Sequence, residues 1–213
     1  MISSLIAEDH TMVRYGTSLV LKELYPGGKI SQAINFEQLL QLIEQEPFDL
    51  LMLDINIPGG DNIQMIDVIR LRQPAIKILV FSAYDEQLFA LRYLQAGVNG
   101  YLMKHASENE MKEAIRAVLK NDMYISEEIK QQLIFNTTEK RGISVNPLLS
   151  LSNRETEVLQ QLIKGTKLAV IARTLSLQVS TVNTYKTRIF EKLEVNNVVE
   201  LAQKVQLYPN KAE

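Results

Sequence analysis

The 213-residue chain contains no cysteine and no tryptophan, and only two histidines, His10 and His105. Without thiols there is no disulfide, no thiolate nucleophile and no cysteine zinc site, a pattern that fits a cytoplasmic protein. Two isolated imidazoles do not make a metal site, so both read as surface or turn residues. No apolar run reaches the ~18 residues of a membrane-spanning helix. The start, Met1-Ile2-Ser3-Ser4-Leu5, has no basic n-region, so a secretory signal is not expected. The phosphate-cradling patterns G-x-x-x-x-G-K-[ST] and G-x-G-x-x-G are missing too, which speaks against a nucleotide-binding enzyme. What is there is ordinary: 46% hydrophobic and 23% charged residues, enough for a packed core and too apolar for disorder.

The net charge of −2 is unevenly spread. Residues 148–213 carry nine Lys+Arg and six Asp+Glu, or +3, which leaves −5 for the first 147. An acidic front and a mildly basic back suggest two modules with different partners.

The first ~120 residues alternate short apolar runs with helix-period segments, as a parallel α/β sheet requires. Leu5-Ile6-Ala7 ends a first strand, Lys29 to Ala33 forms a weak second, and Leu50-Leu51-Met52-Leu53 is apolar throughout, like a central strand covered on both faces. Ile76 to Phe81 and Gly100 to Met103 are the fourth and fifth. Helices fall at Thr11–Tyr25, Phe36–Glu46, Ile63–Arg72, Gln87–Gln95 and Glu108–Lys120. A further helical pattern spans Asn121 to Phe135 with Ser126 as N-cap, and the polar, aperiodic stretch Asn136 to Pro147 reads as a linker. Beyond it everything is helical, beginning at the capping box Ser152-Asn153-Arg154-Glu155.

Ligands of an open parallel sheet bind beyond the carboxyl ends of its strands, where strand order reverses. Glu8 and Asp9 follow the first strand, Asp54 the third, Ser82 the fourth and Lys104 the fifth. If the order is 2-1-3-4-5, strands one and three are neighbours and these residues converge. Three carboxylates in one pocket repel each other and invite a hard cation such as Mg²⁺. A carboxylate beside such an ion can attack a phosphoryl group and form an acyl phosphate. Lys104 would neutralise the equatorial oxygens and Ser82 would donate one hydrogen bond to the product. Each residue alone has a plainer reading: an acidic pair at a helix N-terminus, a turn Asp, a solvated Lys. Their conjunction at four strand ends points to a site.

Glu8-Asp9, Asp54 in LLMLDINIPGGD, Ser82-Ala83 and Lys104 in GYLMK resemble the receiver domain of bacterial two-component response regulators, over about residues 1–122. The resemblance implies that Asp54 accepts phosphate from a phosphohistidine on a sensor histidine kinase. It also implies that Asp9, Asp54 and the backbone carbonyl of Asn56 hold Mg²⁺, with Glu8 acting directly or through water. Tyr101 matches the family's switch aromatic, expected to turn inward on phosphorylation. The family often has a paired Asp where Glu8-Asp9 stands, and Gly where Asn62 stands; Asn is the best substitute in a left-handed turn.

In the helical part, Ser180 to Leu193 can turn Val182, Ile189 and Leu193 inward while Asn183, Thr184, Lys186, Thr187 and Arg188 face out. Cations supply phosphate attraction, and Asn and Thr can read base edges, as in a helix-turn-helix. A solvated face of an interaction domain has the same charge pattern. The run from Leu151 through Arg154-Glu155, Gly165, Ile171-Ala172, Thr181-Val182 and Lys192-Leu193 to Glu200-Leu201-Ala202 resembles the four-helix DNA-binding domain of the NarL/FixJ and LuxR type. That likeness implies base reading by Asn183, Thr184 and Thr187, and phosphate contacts by Thr181, Lys186, Arg188 and Lys192. The family usually has Gly where Ser176 stands and a small capping residue where Gln178 stands, so the recognition helix is expected to start late, with Ser180 as N-cap.

The expectation is an α/β receiver of flavodoxin-like topology at residues 1–122, a linker with a short helix at 123–147, and an all-α helix-turn-helix domain at 148–213. The expected function is a phosphorylation-controlled binder of double-stranded DNA that forms a homodimer when phosphorylated, has no membrane partner, and is not an enzyme beyond slow self-dephosphorylation. The last helix is read equally as dimer surface or core. A phosphatase using Asp54 as transient nucleophile competes, but it needs a general acid two residues on, where neutral Asn56 stands. An interaction protein that is never phosphorylated is the third reading.

Overall fold

The computed structural model describes residues 1–60, 63–84, 86–127, 129–131 and 147–206. The chain divides into two compact units, residues 1–140 and 141–213. The first alternates β1 (Ser3–Ala7), α1 (Thr11–Leu24), β2 (Lys29–Ala33), α2 (Phe36–Gln45), β3 (Leu50–Leu53), α3 (Gln64–Arg72), β4 (Lys77–Ser82), α4 (Glu86–Gln95), β5 (Gly100–Met103) and α5 (Glu108–Leu119). All strand pairs are parallel, as the alternation of strand and helix patterns requires, and they run in the order β2-β1-β3-β4-β5 expected of the flavodoxin-like topology.

The strand period of two divides the core. Leu5, Leu51, Leu53, Ile78 and Val80 pack with α2, α3 and α4 on one face. Ile6, Leu50, Met52, Leu79 and Phe81 pack with α1 and α5 on the other. Every residue of β3 is buried, which is why that strand reads as unbroken apolar sequence. Local signals place the helix starts. Asn35 caps α2 by accepting from the Gln38 N–H at 2.8 Å, and Ser107 and Glu110 form a reciprocal capping box on α5.

Packing in this unit continues past residue 122, the expected receiver limit. Tyr124 exchanges backbone hydrogen bonds with the β5 edge, donating to Asn99 O and accepting from the Tyr101 N–H. Ile125 and Ile129 are buried in the same core as Tyr93 and Tyr101. Helix resumes at Glu127 and at residues 129–131, with the Ser126 hydroxyl accepting from Ile129 N–H at 3.4 Å, the expected cap. Residues 132–146, which hold most of the expected linker, lie outside the described residues.

The second unit opens on a 3-10 turn, Pro147–Ser150, followed by α6 (Asn153–Ile163), α7 (Leu168–Thr174), α8 (Val179–Leu193) and α9 (Val198–Gln206). Leu151, Val158, Leu159, Ile171, Val182 and Ile189 are among its core residues. The Ser152–Glu155 capping box opens α6 as expected. The start of α8 differs from expectation: it begins at Val179 with Gln178 at the N-cap, without a side-chain cap bond. The turn before it explains the shift. Ser176 adopts a left-handed conformation, φ 54°, and two bonds close over it, Ser176 N–H to Arg173 O and Leu177 N–H to Ala172 O. This Schellman turn ends α7 so tightly that helix resumes by Val179, ahead of Ser180. In α9 Leu201 is buried in the core, Val198, Ala202 and Val205 are half-buried, and Val199 is exposed. Among the described residues no helix is long and apolar enough to cross a membrane.

Candidate functional site

Parallel register fixes the site residues before any side chain is considered. Ala7 of β1 pairs with Leu53 of β3, so Glu8 and Asp54 are the next residues of neighbouring strands, and Asp54 N–H donates to Ala7 O at 2.9 Å. Ser82 of β4 pairs with Met103 of β5, and Lys104 N–H donates to Ser82 O at 2.8 Å. All strand-end residues predicted for the site thus stand on one rim of the sheet.

The Lys104 ammonium lies 2.8 Å from Asp54 Oδ2 and 2.6 Å from Glu8 Oε2. Asp54 Oδ1 accepts from the Asn56 backbone N–H at 3.0 Å. Asp54 and Glu8 are both buried. Burial pushes the Asp54 carboxyl up from its ordinary value, against the opposing pull of the Lys104 ammonium. The Lys104 amine is held up despite its own desolvation, because Asp54 and Glu8 stabilise its charged form.

Glu8, Asp9, His10 and Asp54 each offer a ligand atom within 4.8 Å of the others. His10, expected as an ordinary surface residue, is exposed but belongs to this cluster. Its Nδ1 lies 3.0 Å from Glu8 Oε1 and 2.8 Å from Asp9 Oδ1, because the turn into α1 folds the ring back over the two acids. Three carboxylates offering hard oxygens fit a small divalent cation. Glu8 Oε2 adds a second sign: it is buried, and its approach to Lys104 is ionic without a well-angled hydrogen bond, so it has lone-pair capacity to spare.

Two residues that sequence reasoning did not single out complete the rim. Arg14 donates from Nη1 to the backbone carbonyls of Glu8 and Asp9, at 2.8 and 3.2 Å, clamping the loop that carries both acids. Tyr84 donates its N–H to Ser82 Oγ and its hydroxyl to the Asn56 side-chain oxygen, both at 3.1 Å. Its ring stacks on Phe89 with centroids 4.6 Å apart. Tyr101, expected to turn inward on phosphorylation, is already inside and almost fully buried. Its hydroxyl donates to Tyr84 O at 2.9 Å, and burial pushes its pKa well above the ordinary tyrosine value, opposed by a hydrogen bond with Ser82. The inward position is stable because the ring fills core space and the hydroxyl has a partner. Helical periodicity alone marks Arg14 and Tyr84 as unremarkable; the arginine sits one turn into α1 from the acids, the only local signal that could have found it.

In the second unit, Ser180, Asn183, Thr184, Thr187, Arg188 and Glu191 are exposed and follow the i, i+3, i+4 period, so they form one outward stripe of α8. Thr181 and Lys186 are half-buried at its flanks. The Lys186 ammonium sits 5.3 Å from the Phe190 ring centroid. Lys192, expected to touch phosphate, is tied into its own domain: Nζ lies 2.6 Å from the buried Glu155 carboxylate and 3.1 Å from Ser150 O.

A family model described as the response regulator receiver domain matches residues 4–116, and one described as bacterial regulatory proteins, luxR family, matches residues 149–205. Response regulator GacA of Pseudomonas protegens is 37% identical over 202 residues, covering 94% of this chain and 93% of its own. Response regulator UvrY of Escherichia coli K12 is 30% identical over 201 residues, covering 94% and 92%. Among solved structures, the RcsB response regulator of Salmonella typhimurium aligns over 97% of this chain and all of its own with a TM-score of 0.59; at 22% identity this is a likeness of fold. With both modules matched in order over nearly the full length, the chain belongs to the NarL/FixJ-type response regulators, in which a receiver domain precedes a LuxR-type DNA-binding domain.

Proposed function

We propose that the chain is a phosphorylation-controlled transcriptional regulator that takes a phosphoryl group onto Asp54 from a sensor histidine kinase and thereby changes its dimerisation and DNA binding. The observation that carries this reading is the buried Asp54 carboxylate held 2.8 Å from the Lys104 ammonium beside a cluster of further acids. One Asp54 oxygen attacks phosphorus, the P–N bond to the kinase histidine breaks, and an acyl phosphate remains. Lys104 offsets the added charge, and the Ser82 hydroxyl donates to a phosphoryl oxygen. Asp9, Asp54 and the Asn56 backbone carbonyl, with Glu8 directly or through water, would hold Mg²⁺, which neutralises phosphoryl charge when bound. The protein acts as a switch rather than an enzyme; loss of the group by slow hydrolysis resets it. Its place of action is the cytoplasm, with the DNA it controls.

A phosphoryl group on Asp54 competes with Glu8 for the one ammonium both now share, and it draws on Ser82, whose hydroxyl oxygen now accepts from the Tyr84 N–H. Tyr84 in turn touches Asn56, Phe89 and Tyr101. The loop before α4 is therefore the element whose two packings the phosphate biases. RcsB, of the same fold, is described bound to promoter DNA in the presence of the phosphomimetic BeF₃⁻ and as two dimers on two DNAs; DNA binding by a phosphorylated dimer follows that pattern.

Incubation with Mg²⁺ and acetyl phosphate is expected to raise the intact mass by one phosphoryl group, and Asp54→Ala to abolish the gain. An unchanged wild-type mass would identify a regulator that works unphosphorylated.

A further inference from the structure

The outward stripe of α8 carries a chemical bias that residue names alone do not reveal. The Thr184 hydroxyl donates to Ser180 O at 3.0 Å, and the Thr187 hydroxyl donates to Asn183 O at 3.1 Å. Each hydroxyl proton is thereby committed to the helix backbone. Both side chains are exposed, and what each can offer outward is a methyl group and an oxygen that still accepts.

The four base pairs answer such a surface differently. In the major groove adenine shows an amine donor, thymine a methyl, cytosine an amine, and guanine two acceptors. An accepting oxygen is met by the adenine or the cytosine amine, but the methyl beside it finds an apolar partner only on thymine, so an A·T pair alone satisfies both groups. Against guanine the oxygen sets acceptor against acceptor. Asn183, on the same stripe, has the amide that pairs with adenine through N6 and N7. The cations that usually read guanine are placed elsewhere: Lys186 lies half-buried against the Phe190 ring and Lys192 is bound to Glu155. Among the described residues of the stripe Arg188 is the one cation, and it stands beyond Thr187 towards the helix C-terminus.

We infer that Thr184 and Thr187 read thymine methyls and adenine amines, so that the DNA half-site facing Asn183, Thr184 and Thr187 is a run of A·T pairs. This rests on the reading of α8 as the base-reading helix. The full chain, treated with Mg²⁺ and acetyl phosphate, is used to select duplexes from a random-sequence library. The enriched duplex is then compared with a copy carrying deoxyuridine for thymidine, which deletes only the 5-methyl groups. A·T pairs are expected at adjacent positions of each half-site, with affinity falling about fourfold for each contacted methyl removed. Thr184→Ser and Thr187→Ser keep the hydroxyl and delete the side-chain methyl. Each is expected to weaken the thymine duplex by a similar factor and to remove one methyl's share of the uracil penalty. Thr184→Val and Thr187→Val keep that penalty and relax discrimination against guanine.

A half-site of G·C pairs, equal affinity for thymine and uracil duplexes, or a uracil penalty untouched by both serine changes would overturn the inference. A selection that enriches no sequence at all would instead overturn base reading by α8, and the inference with it.

Discussion

Asp54 is a buried carboxyl whose charge comes at a cost in stability. Its folded pKa lies above its ordinary value, so the ionised form weakens folding as pH rises from the unfolded carboxyl pKa through the folded one. Asp54→Asn is therefore expected to raise Tm at neutral pH, with the difference closing in acid below about pH 4; thermal scans at several pH values check this. Lys104 has the opposite sign. Its folded pKa is raised, so its contribution is complete below the unfolded lysine value and is lost only as pH climbs through the folded one. Lys104→Met leaves Glu8 and Asp54 without their cation and is expected to cost about 3 kcal/mol near neutrality, measured by urea unfolding. At this scale the sequence named Asp54, Asp9, Ser82 and Lys104 correctly as neighbours, since each follows a strand end. It did not place His10 against the acids or Tyr84 between Ser82 and Asn56, because those contacts depend on how a loop folds back.

Elements in this protein stop as deliberately as they start. Ser176 occupies a left-handed position that Gly takes without strain. Ser176→Gly is expected to stabilise the helical unit by about 1 kcal/mol, read as a higher midpoint for its own unfolding transition. The same turn moved the start of α8 ahead of Ser180, a shift that residue preference for an N-cap did not foresee. Lys192 illustrates a second limit. The likeness to the LuxR-type domain implies a phosphate contact here, yet Lys192 joins α8 to the N-terminus of α6 through Glu155. Lys192→Met is thus expected to lower that unfolding midpoint, by about 1 kcal/mol, while leaving the salt dependence of DNA binding unchanged. Arg188→Ala should leave the midpoint alone and reduce the salt slope by about one.

For the whole molecule, the acid cluster and the outward stripe of α8 lie in separate units, so their coupling is a matter of populations. Mg²⁺ that binds only the folded receiver stabilises it by mass action. Calorimetry should show the receiver transition rising with Mg²⁺ while the transition of residues 147–206 stays put, and Asp9→Asn should shrink the rise. A rise of both transitions together would mean the two units unfold as one.

Sequence by itself determined the alternation of strands and helices in the first unit, the strand ends that bear the acids, the capping box at Ser152, and the outward placing of Asn183, Thr184, Thr187 and Arg188 on α8. These follow from periods of two and 3.6 residues and from signals no more than four residues apart. Only the tertiary structure decided that Glu8 shares Lys104 with Asp54, that Tyr101 lies inside under Tyr84, that Ile125 and Ile129 belong to the receiver core, and that Lys192 holds Glu155. Each of these joins residues distant in the chain or depends on which rotamer a long side chain adopts. Such choices are made by the packing around them, and local pattern carries no record of it.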